Sequence, residues 1–192
     1  MYAMRQQQEH DLIERIAGVD TEAFAVLVDR YAHSVHALVA RIVVTAEDAE
    51  EVTQDVFLKV FDHLPRFDGR SSLATWIYRI AFNTAVSHAR RRRRPTCPID
   101  ERRIAAITDD EAERLEEMVE RQQALDKLAA AIEALEADER ALVTLRYYDD
   151  RSVAECAAIT GLTEANVNVK VRLHRIRKKL YAMITSATNE YK

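Results

Sequence analysis

An all-α fold in two small helical domains is predicted by three observations. The 192 residues hold only 3 Gly and 3 Pro, and long stretches are built from Ala, Leu, Val, Glu and Arg. Apolar residues recur at helical spacing in successive stretches along the chain. The third observation is a break in composition at residues 95–110, PTCPIDERRIAAITDD, with two prolines and no sustained apolar stripe. That segment reads as a flexible linker between a first domain at 1–94 and a second at 111–192. An apolar fraction of 48% is enough for each domain to bury a core.

Each element can be justified in order. Leu12, Ile13 and Ile16 mark a short helix over about 9–17, with Gly18 placed to cap its C-terminus. Asp20 or Thr21 caps a second helix running to about Val44, whose apolar set is Phe24, Leu27, Val28, Tyr31, Val35, Leu38, Val39 and Ile42. Thr45 with Asp48 three residues on is a capping-box variant. It opens a third helix to His63 that buries Val52, Val56, Phe57, Val60 and Phe61 and exposes Glu47, Glu50, Glu51, Gln54, Asp55 and Lys59. LPRFDGR, residues 64–70, is a turn. The fourth helix, Ser71 to Arg94, starts with the stripe Leu73, Trp76, Ile77 and Ile80 and ends in five arginines stopped by Pro95. At about 1.5 Å per residue it would be roughly 35 Å long, buried at one end and densely cationic at the other. In the second domain the helical pattern covers about 111–135 (Leu115, Met118, Leu125, Leu128, Ile132), then 138–148, then 152–159. After a turn at Thr160–Gly161–Leu162, a last helix runs from Thr163 or Ala165 to about Ile184.

A net charge of −4 conceals strong segregation. Residues 20–62 are acidic with only Arg30, Arg41 and Lys59 opposed, whereas from Arg66 to Arg94 the sole acid is Asp68. Asp100 to Glu120 is acidic again, and Lys170 to Lys179 is purely basic. A dense cationic block that continues an amphipathic helix repels itself unless it is solvated or faces a polyanion, of which phosphate backbone is the commonest. Two basic stretches separated by acidic ones predict two DNA contacts, with acidic faces left for protein partners.

The segment SVAECAAITGLTEANVNVKVRLHRIRKKL has the pattern of a helix-turn-helix. Ala154, Ala157 and Ala158 would let the second helix approach closely across the Gly161 turn. Val169, Leu173, Ile176 and Leu180 form that helix's inner face, leaving Asn168, Lys170, Arg172, His174, Arg175, Arg177, Lys178 and Lys179 to reach DNA. Phasing the helix on Gly161 instead would turn Val167, Val171, His174 and Lys178 inward. The better phase therefore implies a longer turn, with residues 163–166 partly outside the regular helix.

Four stretches together, EDAEEVTQDVFLKVF, WIYRIAFNTAVSHARRRRR, LRYYDDRSVAECAAITGL and VRLHRIRKKL, resemble the bacterial sigma-70 family in its extracytoplasmic-function (ECF) group, which keeps only regions 2 and 4. The resemblance covers about Glu22 to Leu180. It implies that the helix over Ala49–Phe61 docks on the β′ clamp helices of core RNA polymerase, with Glu50, Gln54, Asp55 and Lys59 as contacts. It implies that the loop before the fourth helix and that helix bind the promoter −10 element and hold a base flipped from the non-template strand. Phe67, Arg70, Ser71, Arg79, Asn83 and His88 are the candidates there, with Arg90, Arg91, Arg92, Arg93 and Arg94 on phosphates. Extruding a base costs about a few kcal/mol, offset by a pocket and by cations on the freed strand. Phe67 is equally placed to stack on a base or to cover the core, while Trp76 belongs to the apolar stripe. The −35 element would be read by Asn168, Lys170, Arg172, His174, Arg175 and Lys178, with the second domain on the polymerase β flap. By the same resemblance an anti-sigma factor would hold the free protein closed. Two departures stand out: Ser87 replaces an aspartate common in the family, and about two extra residues separate Gly161 from Leu173.

Nothing points to catalysis, a metal or a cofactor. Cys97 and Cys156 lack ligand spacing, His33 and His36 have no third ligand nearby, and no phosphate loop or nucleophile elbow is present. The N-terminus has no apolar leader core and no stretch approaches 18 apolar residues, so a cytoplasmic chain without membrane insertion is expected. Two other functions fit the basic faces. A conventional dimeric helix-turn-helix regulator would bind duplex tightly without polymerase. A helical adaptor would be indifferent to loss of the arginines.

Overall fold

The structure is a computed structural model that describes residues 2–92, 122–162 and 165–189. Among these residues all regular structure is helical, and the chain divides into two compact units.

The first unit is built on α1 (Tyr2–Ala17), α2 (Thr21–Ile42), α3 (Ala46–His63) and α4 (Leu73–Arg91). Asp20 is the N-cap of α2, its carboxylate accepting from Ala23 N at 3.0 Å. Leu27, Val35, Leu38, Val39 and Ile42 on the inner face of α2 are fully buried. Thr45 caps α3 through Asp48 N at 3.1 Å. Helix α3 buries Val52, Val56, Phe57 and Val60, while Phe61 lies half-buried with its ring edge-on to Phe24 at 4.9 Å. Helices α2, α3 and α4 pack on one another in all three pairings, giving one three-helix core. Helix α1 lies against α2 and the 3₁₀ turn Leu64–Arg66, into which it drives Leu12 and Ile16.

Helix α1 begins earlier than the pattern of apolar residues implies, and its end differs from the expected cap. Gly18 follows the helix, but the left-handed residue is Val19, with φ 65°. Val19 N donates to Ile16 O at 2.8 Å and Asp20 N to Arg15 O at 3.1 Å, the paired bonds of a Schellman-type stop. A β-branched residue therefore holds the position that glycine favours, one place beyond the glycine. The Arg15–Asp20 ion pair at 2.8 Å locks the turn.

Helix α4 is capped by Ser72, which accepts from Thr75 N at 3.1 Å, and it is shorter than Ser71–Arg94. It ends at Arg91 with Arg92 as C-cap; Arg93 and Arg94 lie outside the described residues. Leu73, Ile77, Tyr78, Ala81, Phe82, Ala85 and Val86 are buried, whereas Trp76 and Ile80 are only half-buried. Trp76 is thus at the margin of the core, with Phe67 tilted against it at 5.4 Å between centroids.

The second unit is built on α5 (Gln122–Glu133), α6 (Ala137–Val143) and α8 (Ala165–Asn189), with α8 packed along α5 and touching α6. The first part of the helix expected over 111–135 and the linker at 95–110 lie outside the described residues. Leu125, expected inside, is 39% exposed, and Ala131 and Leu135 carry the burial. Helix α6 runs into a π turn at Thr144–Tyr148, which reverses the chain through Asp149 N to Thr144 O at 3.0 Å and Arg151 N to Leu145 O at 2.9 Å. Helix α7 (Val153–Thr160) opens with Ser152 and Glu155 in reciprocal capping: Glu155 N donates to Ser152 Oγ at 3.2 Å and Ser152 N to Glu155 Oε2 at 2.9 Å. Its buried residues are Cys156 and Ile159, while Ala154 and Ala158, expected at a helix contact, are exposed. Burial pushes the Cys156 thiol up to about 11. Gly161 has φ 70°, and α8 begins at Ala165, with residues 163–164 outside the described set.

The strain at Val19 gives a direct test. Its side chain is 68% exposed, so Val19→Gly removes left-handed strain without opening the core. The substitution is expected to stabilise the first unit by about 0.5–1 kcal/mol. Urea unfolding followed through Trp76, the single tryptophan, should show a higher midpoint. A lower midpoint would mean that the valine makes a stabilising contact there.

Candidate nucleic-acid interface

Burial of one side of α4 fixes which residues face outward. The exposed positions are Arg79, Asn83, Ser87, Arg90 and Arg91, at spacings of four, four, three and one. They form a single stripe about 18 Å long at about 1.5 Å per residue. The stripe holds three arginines and no acid, because Ser87 occupies the one place where an acid would interrupt it. Arg70 and Ser71 precede it in the entry loop. Gly69, at φ 71°, turns that loop, and Arg70 is exposed and pairs with Asp68 at 3.0 Å. Phe67 is half-buried against Trp76, forming an aromatic edge where the loop meets the helix.

Two of the expected DNA residues are drawn the other way. His88 Nε2 lies 3.2 Å from Asp48 Oδ1, and Arg92 Nη1 lies 2.5 Å from the same oxygen. Asp48 is 4% exposed, near the start of α3, so its buried carboxylate ties that end of α3 to the last turn of α4. Burial raises the Asp48 carboxyl, but hydrogen bonds with Thr45 and His88 and the Arg92 charge outweigh it, and the group stays below the ordinary carboxylate value. Of the expected phosphate-binding run, Arg90, Arg91 and Arg92 are exposed, Arg92 being also engaged with Asp48, and Arg93 and Arg94 lie outside the described residues.

Helix α3 presents a second, acidic surface. Glu50, Gln54 and Asp55 are exposed as expected, alongside Glu47, Glu51 and Asp62. Lys59 is exposed, yet its Nζ reaches Thr84 Oγ1 on α4 at 3.2 Å, which satisfies that buried hydroxyl. Leu58, absent from the sequence candidates, is 65% exposed, flanked in position by Gln54, Asp55 and Asp62. A large apolar side chain among charges is the usual composition of a protein-binding centre. It was legible as the leucine out of phase with Val52, Val56, Phe57 and Val60.

In the second unit, Val169, Leu173, Ile176 and Leu180 are all buried, the expected phase of α8. Asn168, Lys170 and Arg175 are exposed, while His174 and Lys178 are half-exposed. Arg172 is held by the Asp138 carboxylate, and Lys179 by Glu139 at 2.7 Å, so both cations are tied back to α6. Val171, 43% exposed, shares the outer face with Asn168 and Arg175 and was not among the candidates. A valine there can contact a thymine methyl, which phosphate-seeking side chains cannot read.

His33 and His36 are both exposed on α2, and among the described residues no group of three or more His, Cys, Asp or Glu is placed to hold a metal. No helix among them is long and apolar enough to cross a membrane.

Comparison with known proteins bears directly on these surfaces. Sigma-70 region 2 matches residues 27–95, and Sigma-70, region 4 matches residues 125–180. The RNA polymerase sigma-H factor of Pseudomonas aeruginosa is 33% identical over 183 residues, spanning 92% of this chain and 94% of that protein. The chain belongs to the sigma-70 family, in its ECF group. The ECF RNA polymerase sigma-E factor of Escherichia coli K12 is 34% identical over 88% of this chain and 90% of its own length. Among solved structures, CnrH in complex with the cytosolic domain of CnrY has a TM-score of 0.63 at 24% identity, over 91% of this chain and 96% of that one. The sigma factor RpoE bound to the anti-sigma factor NepR from Bartonella quintana has a TM-score of 0.57 at 20% identity, over 84% and 96%.

In this sigma factor, region 2 therefore contains α4 with its arginine stripe and α3 with its acidic surface, and region 4 contains the cationic face of α8. The buried acid that links α3 to α4 makes region 2 sensitive to low pH. A carboxyl whose folded value is depressed contributes stability that is present above its unfolded value, 3.8, and lost as pH falls through the folded value. Stability followed through Trp76 should fall as the solution is acidified below pH 3.8. Asp48→Asn should be less stable at neutral pH and show a shallower acid decline. An unchanged acid limb would mean that other carboxyls carry the effect.

Proposed function

We propose that this protein is a promoter-specificity subunit of bacterial RNA polymerase, with residues 1–94 binding core enzyme and the −10 element and residues 111–192 binding the −35 element. Residues 95–110 join the two. The observation that carries the reading is the acid-free stripe Arg79–Asn83–Ser87–Arg90–Arg91 on α4, beside the acidic α3, in a chain of the sigma-70 family. A cationic stripe suits a separated DNA strand, and an acidic surface with an apolar centre suits a protein partner.

In this reading α3 docks on the clamp helices of the β′ subunit through Glu50, Gln54 and Asp55 with Leu58 as the apolar anchor, and Lys59 steadies α4 through Thr84. Arg70, Ser71, Arg79, Asn83, Arg90 and Arg91 meet the −10 strand, and Phe67 with Trp76 offers the aromatic edge on which a flipped base stacks. Asn168, Lys170, Val171, Arg175, His174 and Lys178 present the −35-reading face, while Arg172, held by Asp138, positions that face. The β flap is the polymerase element for the second domain. The protein performs no chemistry of its own, works in the cytoplasm beside the polymerase, and leaves bond formation to it. Two of its structural relatives were solved as complexes with CnrY and with an anti-sigma factor, which supports control of this chain by an inhibitory protein partner of the same kind.

The test is binding of a labelled promoter fragment, selected from genomic DNA, by the protein alone, by core polymerase alone and by both. Tight sequence-specific binding is expected only with both. Tight specific binding by the protein alone would instead indicate a conventional dimeric regulator. Leu58→Ala should weaken assembly with core polymerase by about tenfold, the loss typical of an interface anchor. Retained affinity would remove α3 from the polymerase contact.

A further inference from the structure

Arg92, at the end of α4, keeps 61% of its side-chain surface exposed and is at the same time matched to an anion within the protein. Arg92 caps the C-terminus of α4, its backbone N–H donating to His88 O at 3.2 Å, while its guanidinium reaches Asp48 Oδ1 at 2.5 Å. The partner carboxylate is 4% exposed, and besides Arg92 it faces His88 Nε2 at 3.2 Å and the Thr45 hydroxyl. A buried carboxylate deprived of its cation is costly, so Arg92 cannot leave it for a phosphate without leaving that charge poorly compensated. Arg91 next to it is exposed as well, but lies on the outer stripe and not against Asp48.

We propose that Asp48 is a positioning residue for DNA binding: it acts as an internal substitute for phosphate that withholds Arg92 from DNA and fixes where the cationic stripe ends. The inference rests on the reading of the outer stripe of α4 as the DNA face. The contribution of Asp48 is to separate two kinds of arginine within one run. Arg91 is offered to the nucleic acid. Arg92 binds the carboxylate at the start of α3 and so closes the bundle. A run in which every arginine sought phosphate would grip any duplex, and specificity is lost when the non-specific term grows. The withheld arginine also anchors the last turn of α4 against α3, which fixes the direction in which Arg91 projects.

The experiment is a salt titration of the full chain on a labelled duplex of random sequence, from low salt upward, reading the slope of log affinity against log salt. Each phosphate contact on duplex DNA contributes about 0.9 to that slope. Arg91→Gln should flatten the slope by about 0.9, whereas Arg92→Gln should leave it unchanged. Asp48→Asn should steepen it by about 0.9 as Arg92 is released, Asp48→Asn with Arg92→Gln should return it to the starting value, and Asp48→Glu should behave as the unaltered protein. A merely structural role for Asp48 would lower thermal stability without this pattern of slopes. If Asp48→Asn does not fold by circular dichroism, the contrast between Arg91→Gln and Arg92→Gln still decides. The proposal is overturned if Arg92→Gln flattens the slope as Arg91→Gln does, or if the steepening by Asp48→Asn survives loss of Arg92. An unchanged slope in Arg91→Gln overturns the DNA reading of the stripe itself, and the proposal falls with it.

Discussion

Everything in the first unit depends on how α4 is rotated. Leu73, Ile77, Ala81 and Ala85 are buried at 1% exposure or less, and Tyr78, Phe82 and Val86 fill the flanks of that face. A core packed to crystal-like density does not allow a helix to roll by even one residue without opening voids. The apolar face thereby selects Arg79, Asn83, Ser87, Arg90 and Arg91 as the side chains that solvent, or a ligand, encounters. Side chains that are to meet a ligand in fixed register need a rigid scaffold, and for this stripe the scaffold is the packing of α2, α3 and α4.

The ties between α3 and α4 carry this rigidity from one helix to the other. Thr84 is buried and bonded to Lys59 of α3, and Asp48 at the start of α3 holds the end of α4. These polar links lie 25 and 44 residues apart in sequence. They make α3 and α4 parts of one solid, so a partner that tilts α3 also moves the stripe. Region 4 uses the same device on a smaller scale, where Asp138 and Glu139 of α6 hold Arg172 and Lys179 of α8.

Much of this was legible in the sequence because helical periodicity and capping are local. Asp20, Thr45 and the inner phase of α8 at Val169, Leu173, Ile176 and Leu180 follow from spacing and side-chain chemistry. Family resemblance then suggested a partner for the stripe and one for the acidic helix. What spacing could not give was the destination of individual charges. His88, Arg92 and Arg172 look identical to their exposed neighbours in a linear reading, yet each is turned toward a carboxylate distant in sequence. The expected alanine contact in α7 failed for a related reason: small residues permit close approach but do not require it, and burial fell on Cys156 and Ile159. The C-cap of α1 moved by one residue because the bonds to Ile16 O and Arg15 O set the register of the turn, whatever the backbone preference of Val19.

The buried thiol of Cys156 has a consequence for how this chain can be controlled. With burial raising it to about 11, only about one thiol in ten thousand is ionised at neutral pH, and the thiolate is the form that peroxides and disulfides attack. Helix α7 is in that sense chemically silent: oxidants can pass through the cell without altering it at this residue. A transcriptional response to oxidation would have to be sensed at some other residue or in a partner.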